Sequence, residues 1–364
     1  MSPKGSPLST IYIGGGTPSL LAPKEISSLI EKLDNVFGIQ DGAEITLEVD
    51  PSTFSNDFLE KLIEVGINRI SLGGQSFDDQ VLCELGRTHT SEQLQKSCQQ
   101  LDEKLCNGEI CSWSLDLIQN LPKQNSISWE HQLKNAISTN APHLSIYDLS
   151  IEPGTVFEAL RNRGKLDLPS EEIAYEINAL TNQVLIDAGF SRYEISSFAM
   201  PCHSSRHNRM YWSGSGWWGY GMGATSAPWG KRLTRPKTMR TYEDWINDQE
   251  NNGIHSSLLN INSQNIPLDE LLITGLRRRE GVDLIALAKS SGWNNFECDK
   301  YLKLLKIRWG KYLDSGLLIS QGDRFFLSNP EGMALSNQIL VEMLIWWDSL
   351  PNDAVPLSTP LALQ

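Results

Sequence analysis

The segment Ile11-Tyr-Ile-Gly-Gly-Gly-Thr-Pro-Ser19 is an apolar run that empties into three consecutive glycines. Glycine lets the main chain approach a ligand closely and turn its N–H groups toward a carboxylate or phosphate. A tight turn would use the same residues, so the triple glycine gains weight only from its company. Four later segments also place a polar residue suited to holding a ligand at or near the end of an apolar run. These are Glu48 in Leu-Glu-Val-Asp-Pro51, Gln75 in Gly-Gly-Gln-Ser-Phe77, Arg87 in Leu-Gly-Arg-Thr-His89 and Asp116 in Ser-Leu-Asp-Leu-Ile118. His203 and His207, four apart, have a spacing that could serve a metal on a helix, although the Ser, Arg and Asn residues around them suit a loop equally well.

The elements that must position these groups alternate. Strand candidates are Thr10 to Ile13, Glu44 to Val49, Arg69 to Leu72, Cys111 to Ile118 and His143 to Leu149, with amphipathic stretches such as Lys24 to Val36 and Asn56 to Val65 between them. That rhythm is the signature of βα units around a parallel sheet, a complete or partial barrel, with a doubly wound sheet as the alternative. In a barrel the strand C-termini converge on one face, where ligands bind. Past residue 170 the rhythm changes. A long helix runs to about Asp187 with Ser170 as its N-cap, then comes an aromatic and glycine-rich segment from Tyr193 to Gly230. From Pro267 the chain reads as three helices and a hairpin turning at Gln321-Gly322-Asp323, which predicts a winged-helix-like module. The expected divisions are 1–230, 231–348 and a tail at 349–364.

Composition limits what such a chain can do. With 31 basic and 44 acidic residues among 364, the net charge of −13 repels polyphosphate and argues against nucleic-acid binding. The longest apolar stretch, Ile339 to Trp347, is interrupted by Glu342 and is too short to span a bilayer. Six irregularly spaced cysteines form no disulfide framework and point to reduced thiols and a cytoplasmic location.

Taken in order, Gly14-Gly-Gly-Thr-Pro-Ser19, Glu48-Val-Asp-Pro51, Asn68-Arg-Ile-Ser-Leu-Gly-Gly-Gln-Ser-Phe77, Leu85-Gly-Arg-Thr-His89 and Ser114-Leu-Asp-Leu-Ile118 resemble the successive strand ends of radical S-adenosylmethionine (SAM) proteins. The specific resemblance is to the oxygen-independent coproporphyrinogen III oxidase family. Tyr193-Glu-Ile-Ser-Ser-Phe198, His207-Asn-Arg-Met-Tyr-Trp212 and Gly221-Met-Gly-Ala-Thr-Ser226 resemble its heme chaperone branch, HemW, more than the oxidase. The resemblance implies that Gly15, Gly16 and Thr17 face the methionyl amine and carboxylate of S-adenosylmethionine, with Glu48, Gln75, Arg87 and Asp116 around the rest. It also implies heme or porphyrin as ligand, heme-accepting proteins as partners, and His207, Tyr211 and Trp212 as a heme surface. The basic run Lys231, Arg232, Arg235, Lys237 and Arg240 would suit propionates, or form a solvated loop.

One departure bears on chemistry. Members of the resembled family hold a [4Fe–4S] cluster on a Cys-x3-Cys-x2-Cys loop upstream of the glycine strand, whereas only nine residues precede that strand here and none is cysteine. Cys83, Cys98, Cys106 and Cys111, separated by 14, 7 and 4 residues, are no substitute and are assigned to core packing. The expected fold is therefore a partial (β/α) radical SAM barrel without its first strand and cluster loop, catalytically inactive as written, from a truncated gene model or a divergent paralogue. Gly74 and Asn120 are smaller departures. The alternative function is the oxidase, which decarboxylates coproporphyrinogen III to protoporphyrinogen IX.

Overall fold

The structure is a computed structural model that describes residues 7–53, 55–228, 230–252 and 264–351. Its contacts divide the chain into two units, Met1–His207 and Asn208–Gln364. The sequence boundary at 230 lies further along. Within the second unit Thr225–Ser226 pairs antiparallel with Lys231–Thr234, a pairing that crosses residue 230.

The first unit is built on a seven-stranded sheet. Five parallel strands, β1 (Leu8–Ile13), β2 (Ile39–Val49), β3 (Arg69–Gln75), β4 (Ser112–Gln119) and β5 (His143–Asp148), lie in chain order, followed by the hairpin of β6 (Ser191–Glu194) and β7 (Ser197–Ala199), with β7 antiparallel to β5. The order β1-β2-β3-β4-β5 leaves no reversal of strand order, so the doubly wound alternative is excluded and a half-barrel remains. Among the described residues β1 pairs only with β2 and forms one edge.

Alternation along the strands sorts two faces. Ile13, Leu47, Ile70 and Trp113 share one row, and Val49, Leu72, Leu115 and Leu144 another. Both rows pack under helices whose apolar stripes supply Ile26, Leu59, Leu62, Leu94, Leu101, Leu133, Ile177 and Leu185. The opposite face carries Tyr12, Thr46, Arg69 and Ser112 in one row, Glu48, Ser71, Ser114 and His143 in the next, and Gly73, Asp116 and Ser145 above them. Central parallel strands covered on both sides read as continuous apolar runs. A polar row every second residue marks the concave interior of an open barrel.

The helices begin where side chains satisfy their free N–H groups. Ser55 accepts from Phe58 N at 3.3 Å, Asn125 from Ser128 N at 2.9 Å and Ser170 from Ile173 N at 3.3 Å. The last of these opens Glu171–Asp187, the long helix read from sequence.

The second unit contains the helices Leu268–Leu276, Leu284–Ser290, Lys303–Arg308 and Ser336–Asp348, and a three-stranded antiparallel sheet in which Arg324–Leu327 lies between Val282–Asp283 and Leu318–Gln321. The helical C-terminal part carries the expected hairpin, its turn falling at Gly322 with φ +65°. Trp309 and Trp346 are fully buried in this unit's core. Of the tail assigned to 349–364, residues 352–364 lie outside the described residues.

Candidate functional site

The glycine loop sits at the C-terminal end of β1, and its conformation follows from one carboxylate. Glu48 accepts from the Tyr12 hydroxyl at 2.8 Å through Oε1 and from Gly15 N–H at 2.9 Å through Oε2. A Cβ at Gly14 would lie 2.6 Å from the Tyr12 ring and 2.8 Å from that carboxylate, so residue 14 has no room for a side chain. Gly15 and Gly16 have φ of +84° and +66° and, with Thr17, are exposed. The loop is anchored behind: Ser19 Oγ meets Thr53 Oγ1 at 2.5 Å and accepts from Asp50 N at 3.3 Å.

Asp116 lies deeper, on the interior row beyond Ser71. Ser71 donates to its Oδ2 at 2.9 Å, while Oδ1 is sealed from solvent with no hydrogen-bond partner among the described residues. Burial raises its pKa to about 6; the nearby charge of Glu48 adds to the rise, and the Ser145 and Ser71 hydroxyls and Arg69 oppose it. Tyr12 is pushed up by burial, then by the charges of Glu48 and Asp116. Gln75 ends β3 with φ +58°, a region a non-glycine residue seldom occupies, and its buried Oε1 also has no partner among the described residues. Arg87 is exposed, in a loop sewn to the same end of the sheet by Thr88 on Ser52 at 3.2 Å and by His89 on the Gly74 carbonyl at 3.2 Å.

Thus Gly15, Gly16, Thr17, Glu48, Gln75, Arg87 and Asp116 belong to loops and strand ends at one rim of the half-barrel. Glu48 also holds the chain's own loop, and its partner Tyr12 was not singled out from the sequence. Ser71, Ser145 and Arg69 were missed too; the alternation of polar residues within otherwise apolar strands is the signal that could have found them.

S-adenosylmethionine carries an ammonium, a carboxylate, a sulfonium and ribose hydroxyls, and this rim offers matching partners. The Glu48 and Asp116 carboxylates and Gln75 Oε1 can take the cationic and donor groups, while the Gly16 N–H and Arg87 suit the carboxylate. The residues present do not fit a [4Fe–4S] cluster. Among the described residues no three His, Cys, Asp or Glu side chains converge as metal ligands. The assignment of four thiols to the core holds for Cys98 alone, whose thiol burial pushes up to about 12; Cys83, Cys106 and Cys111 are exposed because they fall on outward helix positions or a strand entry.

At the other end of the strands the segment 203–207 closes the interior. Glu44, 5% exposed, accepts from Ser205 Oγ at 3.2 Å, Arg206 N at 3.0 Å and His207 N at 2.9 Å. Arg69 donates to the His203 carbonyl at 3.2 Å. His203 Nδ1 meets Ser112 Oγ at 3.0 Å, whereas His207 Nδ1 meets Thr10 Oγ1 at 3.0 Å, so the two imidazoles turn to different strands and share no metal. Burial lowers the pKa of His207 and keeps its ring neutral, against the pull of Glu44. His89 and His143 are buried and held by neighbours, His143 Nε2 meeting the Tyr193 hydroxyl at 2.8 Å.

In the second unit Tyr211, Trp212 and Trp217 pack at steep angles to one another. Tyr211 meets Trp212 edge-on at 82° and Trp217 at 54°, and the Arg277 guanidinium covers the Trp212 ring at 4.5 Å. Tilted packing of this kind fills volume better than a coplanar platform. The basic run is partly spoken for: Arg232 pairs with Glu270, and Arg235 lies over Tyr220 and Trp245.

Comparison with known proteins settles the family. A radical SAM superfamily model matches residues 3–126. The heme chaperone HemW of Synechocystis is 36% identical over 93% of this chain and 83% of its own length, and that of Lactococcus lactis is 30% identical over 93% and 85%. The chain belongs to the HemW family of radical SAM proteins. A mitochondrial relative from Danio rerio, radical S-adenosyl methionine domain-containing protein 1, is 31% identical over 93% of this chain and 76% of its own. The coproporphyrinogen III oxidase HemN from Escherichia coli superposes over 94% of this chain and 78% of its own with a TM-score of 0.71 at 23% identity, a shared fold. Among the described residues no helix of this HemW-like protein is long and apolar enough to cross a membrane.

Proposed function

We propose that this HemW-like protein works in heme metabolism as a heme chaperone that binds S-adenosylmethionine at the rim of its half-barrel and heme through the His207 segment. The observation that carries the reading is its near full-length likeness to proteins named heme chaperones, beside only a fold-level likeness to the oxidase. When bound beside a cluster, S-adenosylmethionine supplies radical chemistry; among the described residues the thiols do not assemble such a cluster site. The chain's own residues would do the binding. Glu48 holds the glycine loop through Gly15 N–H, Asp116 and Gln75 would offer acceptors inside, and Gly15, Gly16, Thr17 and Arg87 would face the methionyl end.

For heme, the supporting feature is a neutral imidazole whose Nδ1 is already engaged by Thr10, leaving Nε2 as the donor atom for iron. Tyr211 and Trp212 are the other residues assigned to heme contact, and Cys202, exposed, is the competing donor. Heme-accepting proteins would be its partners and the cytoplasm its compartment.

Titration with hemin tests this. A shifted Soret band that diminishes in His207→Ala is expected, with no protoporphyrinogen formed from coproporphyrinogen III. An unshifted band, or one equal to the parent's in His207→Ala and Cys202→Ala alike, rejects the heme site, and turnover of coproporphyrinogen III favours the oxidase.

A further inference from the structure

Tyr12 touches both ends of this system. Its hydroxyl donates to Glu48 Oε1 at 2.8 Å, and the same carboxylate holds Gly15 N–H at 2.9 Å. Its ring stacks on the His207 imidazole, centroids 5.0 Å apart and planes at 29°. Thr10, two residues earlier and on the same face of β1, engages Nδ1 of that imidazole at 3.0 Å. On the neighbouring strand, Glu44 and Glu48 repeat the arrangement: one holds the backbone N–H of His207, the other the glycine loop. The rim and the imidazole are thus joined by one strand pair, β1 and β2.

We propose that Tyr12 is a positioning residue that couples the two ligand sites, so that S-adenosylmethionine at the rim changes heme affinity at His207. The proposal rests on the functional reading above. The chemistry of the relay supplies the differential contact that coupling requires. An incoming ammonium competes with the Tyr12 hydroxyl for the Glu48 carboxylate, and an incoming carboxylate competes with Glu48 for Gly15 N–H. Either exchange releases or shifts the phenol on which the imidazole stacks. Linkage then makes the effect reciprocal: the factor by which one ligand changes the affinity of the other is the same in both directions.

The test uses the full chain and four numbers per protein: hemin affinity from the Soret band with and without S-adenosylmethionine, and S-adenosylmethionine affinity by calorimetry with and without hemin. The parent is expected to show a coupling ratio of about threefold or more, equal from both sides. Tyr12→Phe keeps the ring and removes the hydroxyl that competes for Glu48, so it is expected to keep or raise S-adenosylmethionine affinity and to bring the ratio to about one. Thr10→Val attacks the other end. It is expected to move the Soret maximum and shrink the ratio while the rim still binds its ligand, and it carries the test alone if Tyr12→Phe does not fold. A parent that binds both ligands with a ratio of one, or variants that keep the parent's ratio, overturns the coupling and leaves the functional reading standing. A parent that binds neither ligand overturns both.

Discussion

Asp116 shows how a single buried group sets a pH dependence. Its carboxyl titrates at about 6 in the folded chain against an ordinary 3.8, raised first by burial and then by Glu48. The native state therefore holds this proton more tightly than the unfolded one. The cost of the buried charge is absent below about pH 4, grows as the pH rises through 6 and is complete above it, on the order of 3 kcal/mol. Asp116→Asn should flatten that dependence. Denaturant midpoints at pH 5 and pH 8 should draw together in the variant relative to the parent; an unchanged difference would mean the carboxyl is not the source. The same substitution should weaken S-adenosylmethionine binding, because a carboxylate acceptor becomes a neutral amide. Glu48→Ala removes a charge-assisted acceptor worth about 1.5–3 kcal/mol, roughly tenfold or more in S-adenosylmethionine affinity by calorimetry. Parent-like affinity in Glu48→Ala would remove Glu48 from the site.

At the scale of elements, the closed end of the half-barrel depends on Glu44 holding the segment 205–207 against the start of β2. Glu44→Ala leaves two backbone N–H groups and a hydroxyl without their acceptor and should cost about 2–4 kcal/mol. Glu44→Gln, which keeps one acceptor oxygen, should cost less, and denaturant titration would separate the two. Gly74 makes a different point. A Cβ there would lie 2.6 Å from Leu115 Cδ1 and 3.1 Å from Leu94 Cδ1, so Gly74→Ala should overpack the contact of β3 with the helix Ser91–Cys106 by about 1–3 kcal/mol. A melting temperature equal to the parent's would show that the two leucines yield freely. Asn120, the other departure, occupies φ +60° and donates to Asp148 Oδ1 at 2.6 Å, which a glycine could not do.

For the whole molecule, the six thiols decide what inorganic chemistry these 364 residues can support. Cys98 and Cys298 are buried in different units, and Cys83, Cys106, Cys111 and Cys202 face solvent without converging on a common centre. Iron and sulfide supplied anaerobically to this chain should therefore give no stoichiometric [4Fe–4S] absorption. Stoichiometric incorporation would require ligands that the described residues do not bring together. Hemin binding should survive that treatment, since Thr10, Tyr12, Glu44 and His207 use none of these thiols.

The order of elements was legible in the residues alone. Glycine loops, capping residues and period-two apolar runs are local signals, and they placed five parallel strands, the helix after Ser170 and the late hairpin within a few residues of where they lie. The polar residue at each strand end was legible for the same reason, since parallel strands must discharge their ends on one face. What the residues could not show is which side of each strand faces the interior, because that depends on how neighbouring strands register. Only the paired rows bring Ser71 to Asp116 and Tyr12 to Glu48. Contacts across long sequence separations were likewise hidden: Glu44 with residues 205–207, and Thr10 and Tyr12 with His207. No periodicity in a chain encodes a partner more than 150 residues away; packing selects it, by closing a polar interior that water would otherwise fill.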